Sequence, residues 1–170
     1  MTASLEDSLA HQPFLADLTR YQLEAVARCA APVSFPANQF IFHEGDEAEH
    51  FYILTQGRVA VEVVIPGRPP INIQTLGPNE VLGWSWFYPP YRWHFDALAL
   101  TATEAIAFEA NGLLRLCNHD AEVGYKLTKR YAHLLFERLQ ATRLQLLDVY
   151  EQADVPPARS AAPRPRREGK

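Results

Sequence analysis

The stretch Phe40-Ile-Phe-His-Glu-Gly-Asp-Glu-Ala-Glu-His-Phe-Tyr-Ile-Leu-Thr-Gln-Gly-Arg-Val59 decides how the rest of the chain is read. Its apolar runs are too short for helices, and turn residues cut between them. Gly45-Asp46 and Gln56-Gly57 supply glycines suited to positive φ, and Phe51 to Leu54 between them is a buried strand. The same punctuation extends outward. Gln39–Phe42, Phe51–Thr55, Arg58–Ile65, Ile71–Leu76, Phe95–Thr101 and Ala105–Phe108 read as strands, with Pro66-Gly67 and Gly77-Pro78 as further turns. Many short strands at this spacing predict a jelly-roll-like β-barrel, a mainly β fold with flanking helices.

Helical patterning brackets the strands. Phe14 to Ala30 places Leu15, Leu18, Leu23 and Val26 on one face, and Pro32 and Pro36 close it. Ala110 to Asn118 reads as a short helix, and Asp120 is placed to cap the next. From Ala121 to about Gln152 no proline occurs, and Leu127, Tyr131, Leu134, Leu135, Leu139, Leu146 and Val149 recur at steps of three and four. Such a helix is roughly 48 Å long, about twice what a barrel of this size covers. Leu144, Leu146, Leu147, Val149 and Tyr150 are then exposed unless a second copy covers them, or unless the helix folds back or frays. The organisation predicted is an extension over 1–13, a domain over 14–152 with a dimerisation helix over 120–152, and a disordered tail over 153–170. That tail has four prolines and a charge of +3, against −7 for the other 152 residues.

The 170 residues suit one domain with a tail, and no run of 18 apolar residues marks a membrane span. The acidic Met1–Gln12 is no secretory signal, so a reducing cytoplasmic setting is expected. Cys29 and Cys117 are too few for a disulfide framework or a four-cysteine zinc site, and read as small core fillers. His43, His50 and His94 lack the His-x-His spacing of a cupin-like metal enzyme, and no nucleophile elbow, P-loop or His-Glu-x-x-His occurs. The expectation is a non-enzyme.

The Gly-Asp turn, the Phe51-Tyr-Ile-Leu54 strand and the Gly57-x-Val59 hairpin resemble the cyclic-nucleotide-binding domain of the catabolite-activator (Crp/Fnr-like) family and of protein kinase A regulatory subunits. The resemblance continues through Leu76-Gly-Pro-Asn-Glu-Val-Leu-Gly83 and covers about residues 14 to 150. It implies a double-stranded β-helix that senses a small molecule, a cyclic nucleotide (cAMP or cGMP) or another small anion. It also implies a homodimer that signals through its C-terminal helix to a partner the sequence does not name. In that family a glycine-glutamate pair opens a short helix whose amides face the phosphate, the glutamate holds the ribose hydroxyl, and an arginine about ten residues on pairs with the phosphate. Gly83 matches the glycine, Ser85 and Trp86 stand where the amides are, and Arg92 where the arginine is. Trp84 departs from the glutamate, and indole offers no acceptor. Trp93 and His94 replace small residues after the arginine.

Of the 19 aromatic residues seven fall between Trp84 and Phe95, so this segment either plugs the pocket, fills the core or reshapes the cavity for a flatter ligand. Arg92 either binds an anion, pairs with Asp96 or stacks on Trp93. On the long helix Thr142 matches the first base-contacting hydroxyl of the family's activators, whereas Arg143 replaces a serine. Full activators continue into a helix-turn-helix domain, of which this sequence has no counterpart. Sequence-specific DNA binding and membrane binding are therefore not expected. The alternative function is an adaptor that keeps the fold without a ligand.

Overall fold

The computed structural model describes residues 5–152, with side chains described through Tyr150. Helices α1 (Leu5–Ala10) and α2 (Arg20–Ala27) come first, joined by a 3-10 turn at Pro13–Leu15. Eight strands follow: β1 (Ala30–Phe35), β2 (Phe40–Phe42), β3 (His50–Gln56), β4 (Val59–Val63), β5 (Ile71–Leu76), β6 (Val81–Leu82), β7 (Asp96–Ala99) and β8 (Thr103–Glu109). A 3-10 turn at Ser85–Phe87 separates β6 from β7, and α3 (Ala110–His119) and α4 (Ala121–Gln152) complete the chain. One compact unit runs to Tyr131 and a second begins at Ala132, within α4.

The strands form two antiparallel four-stranded sheets, ordered β1-β8-β3-β6 and β2-β7-β4-β5. These are separate ladders and not one closed barrel, so the jelly-roll expectation stands and the word barrel is a simplification. Between them lies a core of Leu54, Val59, Leu76, Leu82, Ala97 and Ala105, bordered by Phe42 and Tyr52. Alternation along β3 makes this possible. Tyr52 and Leu54 point between the sheets, while Phe51 stacks on Phe108 and Trp86 in a second, aromatic cluster that also holds Tyr131.

Departures from the sequence reading have local causes. Helix α2 starts at Arg20, later than Phe14, because Thr19 and Gln22 close a capping box in which each side chain accepts from the other's backbone N–H. β1 contains Pro32, which reads as a breaker, yet β1 is the edge of its sheet, where a missing N–H costs nothing. Cys29 falls in the link between α2 and β1 and Cys117 on α3; burial raises both thiol pKa values above the ordinary range. The boundaries of α4 match the expected ones, and Asp120 Oδ1 accepts from the N–H groups of Glu122 and Val123 at 3.0 and 3.1 Å. The stretch 153–170 lies outside the described residues.

One hairpin glycine is required. Gly57 has φ +85°, and a methyl there would stand 2.5 Å from the Ala102 carbonyl oxygen and 2.7 Å from Thr103 Cα. Backbone cannot yield as a side-chain tip can. Gly57→Ala is expected to cost about 2–3 kcal/mol, combining left-handed strain with the clash. Urea denaturation checks it, and a midpoint unchanged from wild type would contradict the tight turn.

Candidate functional site

Six of the eight candidate residues fall on the loop between β6 and β7, and a long-range ladder holds that loop. The Ala48 N–H donates to the Tyr91 carbonyl (2.8 Å), Trp93 N–H to Asp46 (3.0 Å), and Gly45 N–H to Trp93 (2.9 Å). Glu47 and Arg92 face each other across this antiparallel bridge. The turn preceding β3, which Gly45 opens at φ +89°, is therefore zipped to residues 91–93. Arg92 comes out beside its own backbone partner. Its Nη1 donates to the Gly45 carbonyl at 2.7 Å, and its Nη2 lies 3.7 Å from the Glu47 carboxylate.

Asp96, the partner considered for Arg92 from the sequence, is engaged elsewhere. It accepts from the Glu44 N–H at 2.7 Å and stands 3.4 Å from His43 Nδ1. The Arg92 side chain remains half-exposed. It opens onto a cavity of about 420 Å³ whose walls include Trp86, Tyr91, Glu47, Glu49 and Leu114.

Trp93 turns the other way. Its indole is 6% exposed and stacks face to face on Phe42, centroids 3.8 Å apart with 8° between planes. The ring's far edge reaches Gly83, which adopts φ +91°. A second cavity of about 410 Å³ adjoins it, walled by Phe42, Tyr52, His50, Asp46, Glu47 and Glu49. Burial, and next the Glu49 charge, hold the Tyr52 phenol above its usual pKa, so it stays protonated as a donor.

The remaining candidates disperse. Trp84 precedes the 3-10 turn and is half-buried. Ser85 is buried, its Oγ 3.1 Å from His94 Nδ1. Trp86, 1% exposed, stacks on Phe51 at 5.3 Å and donates Nε1–H to Tyr131 Oη at 2.9 Å, so most of its side chain belongs to the aromatic cluster. Thr142 and Arg143 lie on α4 in the second unit, both exposed, and Thr142 Oγ1 donates back to the Arg138 carbonyl. Gly83 and Trp93 thus meet each other, Trp93 lines one cavity, and Trp86 and Arg92 line the other. Gly45, Glu47 and Phe42 complete these contacts, although none of them was read as a site residue. The Gly45-Asp46 turn was legible, but its pairing with a segment 47 residues away was not. Among the described residues no group of three His, Cys, Asp or Glu side chains is placed to hold a metal ion, and no helix is long and apolar enough to cross a membrane.

Known proteins agree with this architecture. The chain is 22% identical over 145 residues to the CRP-like cAMP-activated global transcriptional regulator of Mycobacterium tuberculosis, a match covering 85% of this chain and 63% of the regulator. It therefore spans less than two thirds of the length of that relative. A cyclic nucleotide-binding domain from Methylobacillus flagellatus superposes with a TM-score of 0.71 at 18% identity, over 78% of this chain and 74% of that one. The catabolite activator protein of Thermus thermophilus superposes at 0.66 and 22% identity, over 81% of this chain and 63% of that one. At these identities the superpositions establish the fold. The profile of the cyclic nucleotide-binding domain matches residues 32–120, more than half of the chain, and the protein belongs to that family.

Proposed function

We propose that this ligand-sensing regulatory domain takes a small anion at Arg92, a cyclic nucleotide included, and passes the response through α4 helices paired in a homodimer. The observation that carries the sensing half is Arg92, a half-exposed guanidinium at the mouth of a cavity, oriented by a carbonyl and only loosely held by a carboxylate 3.7 Å away. A phosphate or carboxylate competes well with so long an ion pair, because a charge-assisted contact at 2.7–2.9 Å is about twice as strong as a neutral one. Support for the signalling half is the exposure of α4: Leu144, Leu146, Leu147, Val149 and Tyr150 are 53–64% exposed. A row of this kind on one helix is a surface for a second copy. The role is regulatory and not catalytic.

Cyclic nucleotides are expected to bind weakly. Trp84 offers the ribose hydroxyl no acceptor, and a buried unmatched hydroxyl costs about 1–3 kcal/mol, a ten- to hundredfold loss relative to proteins that retain a glutamate. Calorimetry with cyclic AMP and cyclic GMP checks this on wild type, Arg92→Ala and Trp84→Glu. Arg92→Ala should remove most remaining affinity and Trp84→Glu should recover part. Tight wild-type binding that survives Arg92→Ala would sink the anion site. A specific observation, Trp93 stacked on Phe42 over Gly83, favours a second reading, an adaptor that binds no ligand. Absence of binding by all three proteins would select it.

A further inference from the structure

Trp93 is buried beside the loop that carries Arg92. Gly83 follows β6 of one sheet, and Phe42 ends β2 of the other. The indole touches both, so it stands between the two sheets at the end of the fold where Arg92 also lies. The fit is built from both sides. A methyl on residue 83 would meet Trp93 Cη2 and Cζ3 at 2.6 and 2.7 Å, so the absence of a side chain at Gly83 makes the space that the ring fills. On the opposite face the Phe42 ring lies parallel at 3.8 Å. Backbone hydrogen bonds at 3.0 and 2.9 Å fix residue 93 to Asp46 and Gly45, so the ring is not carried on a free loop.

We infer that Trp93 is the specificity-determining residue of this sensor, a tethered occupant that fills the space between Gly83 and Phe42 against any flat ligand group, beside the cavity onto which Arg92 opens. The ligand class favoured is a small phosphate- or carboxylate-bearing molecule without a heteroaromatic base, and the filled space is a second reason for cyclic nucleotides to bind only weakly. This rests on the proposed anion site for the class of ligand, but the occupancy by Trp93 stands on its own contacts. Two neighbours on one chain thereby divide the work. Arg92 points to the cavity of about 420 Å³ and recognises charge, whereas Trp93 fills the neighbouring space and rejects planar groups.

The test begins on the wild type, with the indole N–H resonance of Trp93 assigned by its loss in Trp93→Phe. Cyclic AMP at millimolar concentration should move that resonance no further than inorganic phosphate does; a saturable shift that phosphate does not reproduce would overturn the inference, because the base would then be displacing the indole. The second arm is Trp93→Ala. Opening a ring-sized apolar hole lowers the melting temperature, and free indole should raise it again by several degrees, as a small ligand fills an engineered cavity. Wild type should not respond to indole. The affinity of Trp93→Ala for cyclic AMP should exceed that of wild type at least tenfold. A folded Trp93→Ala that gains neither indole nor cyclic AMP binding would overturn the inference.

If Trp93→Ala does not fold even with indole present, Trp93→Leu takes its place with the same cyclic AMP criterion, and unchanged affinity there would count against occupancy. Arg92→Ala separates the two proposals. Indole rescue that persists without Arg92 leaves Trp93 as the occupant while the anion site fails.

Discussion

Leu146→Glu is expected to turn a dimer into a monomer. In the single chain Leu146 is 53% exposed, so the substitution costs the isolated fold little and the circular dichroism of the two sheets should not change. In a paired α4 the same change brings a carboxylate from each copy into one apolar seam. Removing an unpaired charge from water costs several kcal/mol, and a loss of about 3 kcal/mol weakens association more than a hundredfold. Light scattering at tens of micromolar should read twice the chain mass for wild type and the chain mass for the variant. Leu146→Met, which conserves volume and polarity, should remain dimeric. A wild-type monomer at that concentration would count decisively against the pairing of α4, and a dimeric Leu146→Glu would move the seam elsewhere.

Trp86→Ala is expected to have the largest effect on folding. The side chain is almost fully buried, stacked on Phe51 and set edge-on to Phe87 and Tyr131. Truncating a buried tryptophan costs about 3–5 kcal/mol, a large part of the whole stability of a domain. A smaller loss should follow from Trp86→Phe, which keeps the ring contacts but removes the Nε1–H donation to Tyr131 Oη, about 1 kcal/mol. Tyr131→Phe removes the other partner of the same bond, so the double variant should cost less than the two single losses added together. Denaturant titrations of the four proteins check this. Strict additivity would show that the bond contributes nothing as a pair.

How much of this was legible follows from what each residue type does locally. The Gly45-Asp46 and Gln56-Gly57 turns marked both ends of β3, whereas its continuous apolar run Phe51 to Leu54 did not tell which residues face the second sheet. Asp120 and the unbroken run to Gln152 marked α4 because caps and helical spacing are local properties. β6 has only two residues, Val81 and Leu82, and exists because Tyr52 and Ile53 pair with it, so no periodicity announces it.

The site divides the same way. Gly83 and Arg92 were identified through their order in the chain. The partners that decide what Arg92 and Trp93 do, namely Gly45, Glu47 and Phe42, reach them through tertiary pairing, which leaves no trace in spacing. Trp86 shows the complementary limit. It stands at an expected amide position, yet its ring contacts Phe51, Phe87 and Tyr131 in the aromatic cluster, where its burial decides stability.

Pro32 has a consequence for solubility. β1 is a terminal strand of its sheet, six residues long, and terminal strands are templates on which another chain's strand can grow. Near the middle of that strand Pro32 has no amide hydrogen to offer, and a strand from a neighbouring molecule cannot form a continuous ladder past it. One imino acid thus guards this edge of the sheet against growth by a strand from a neighbouring molecule.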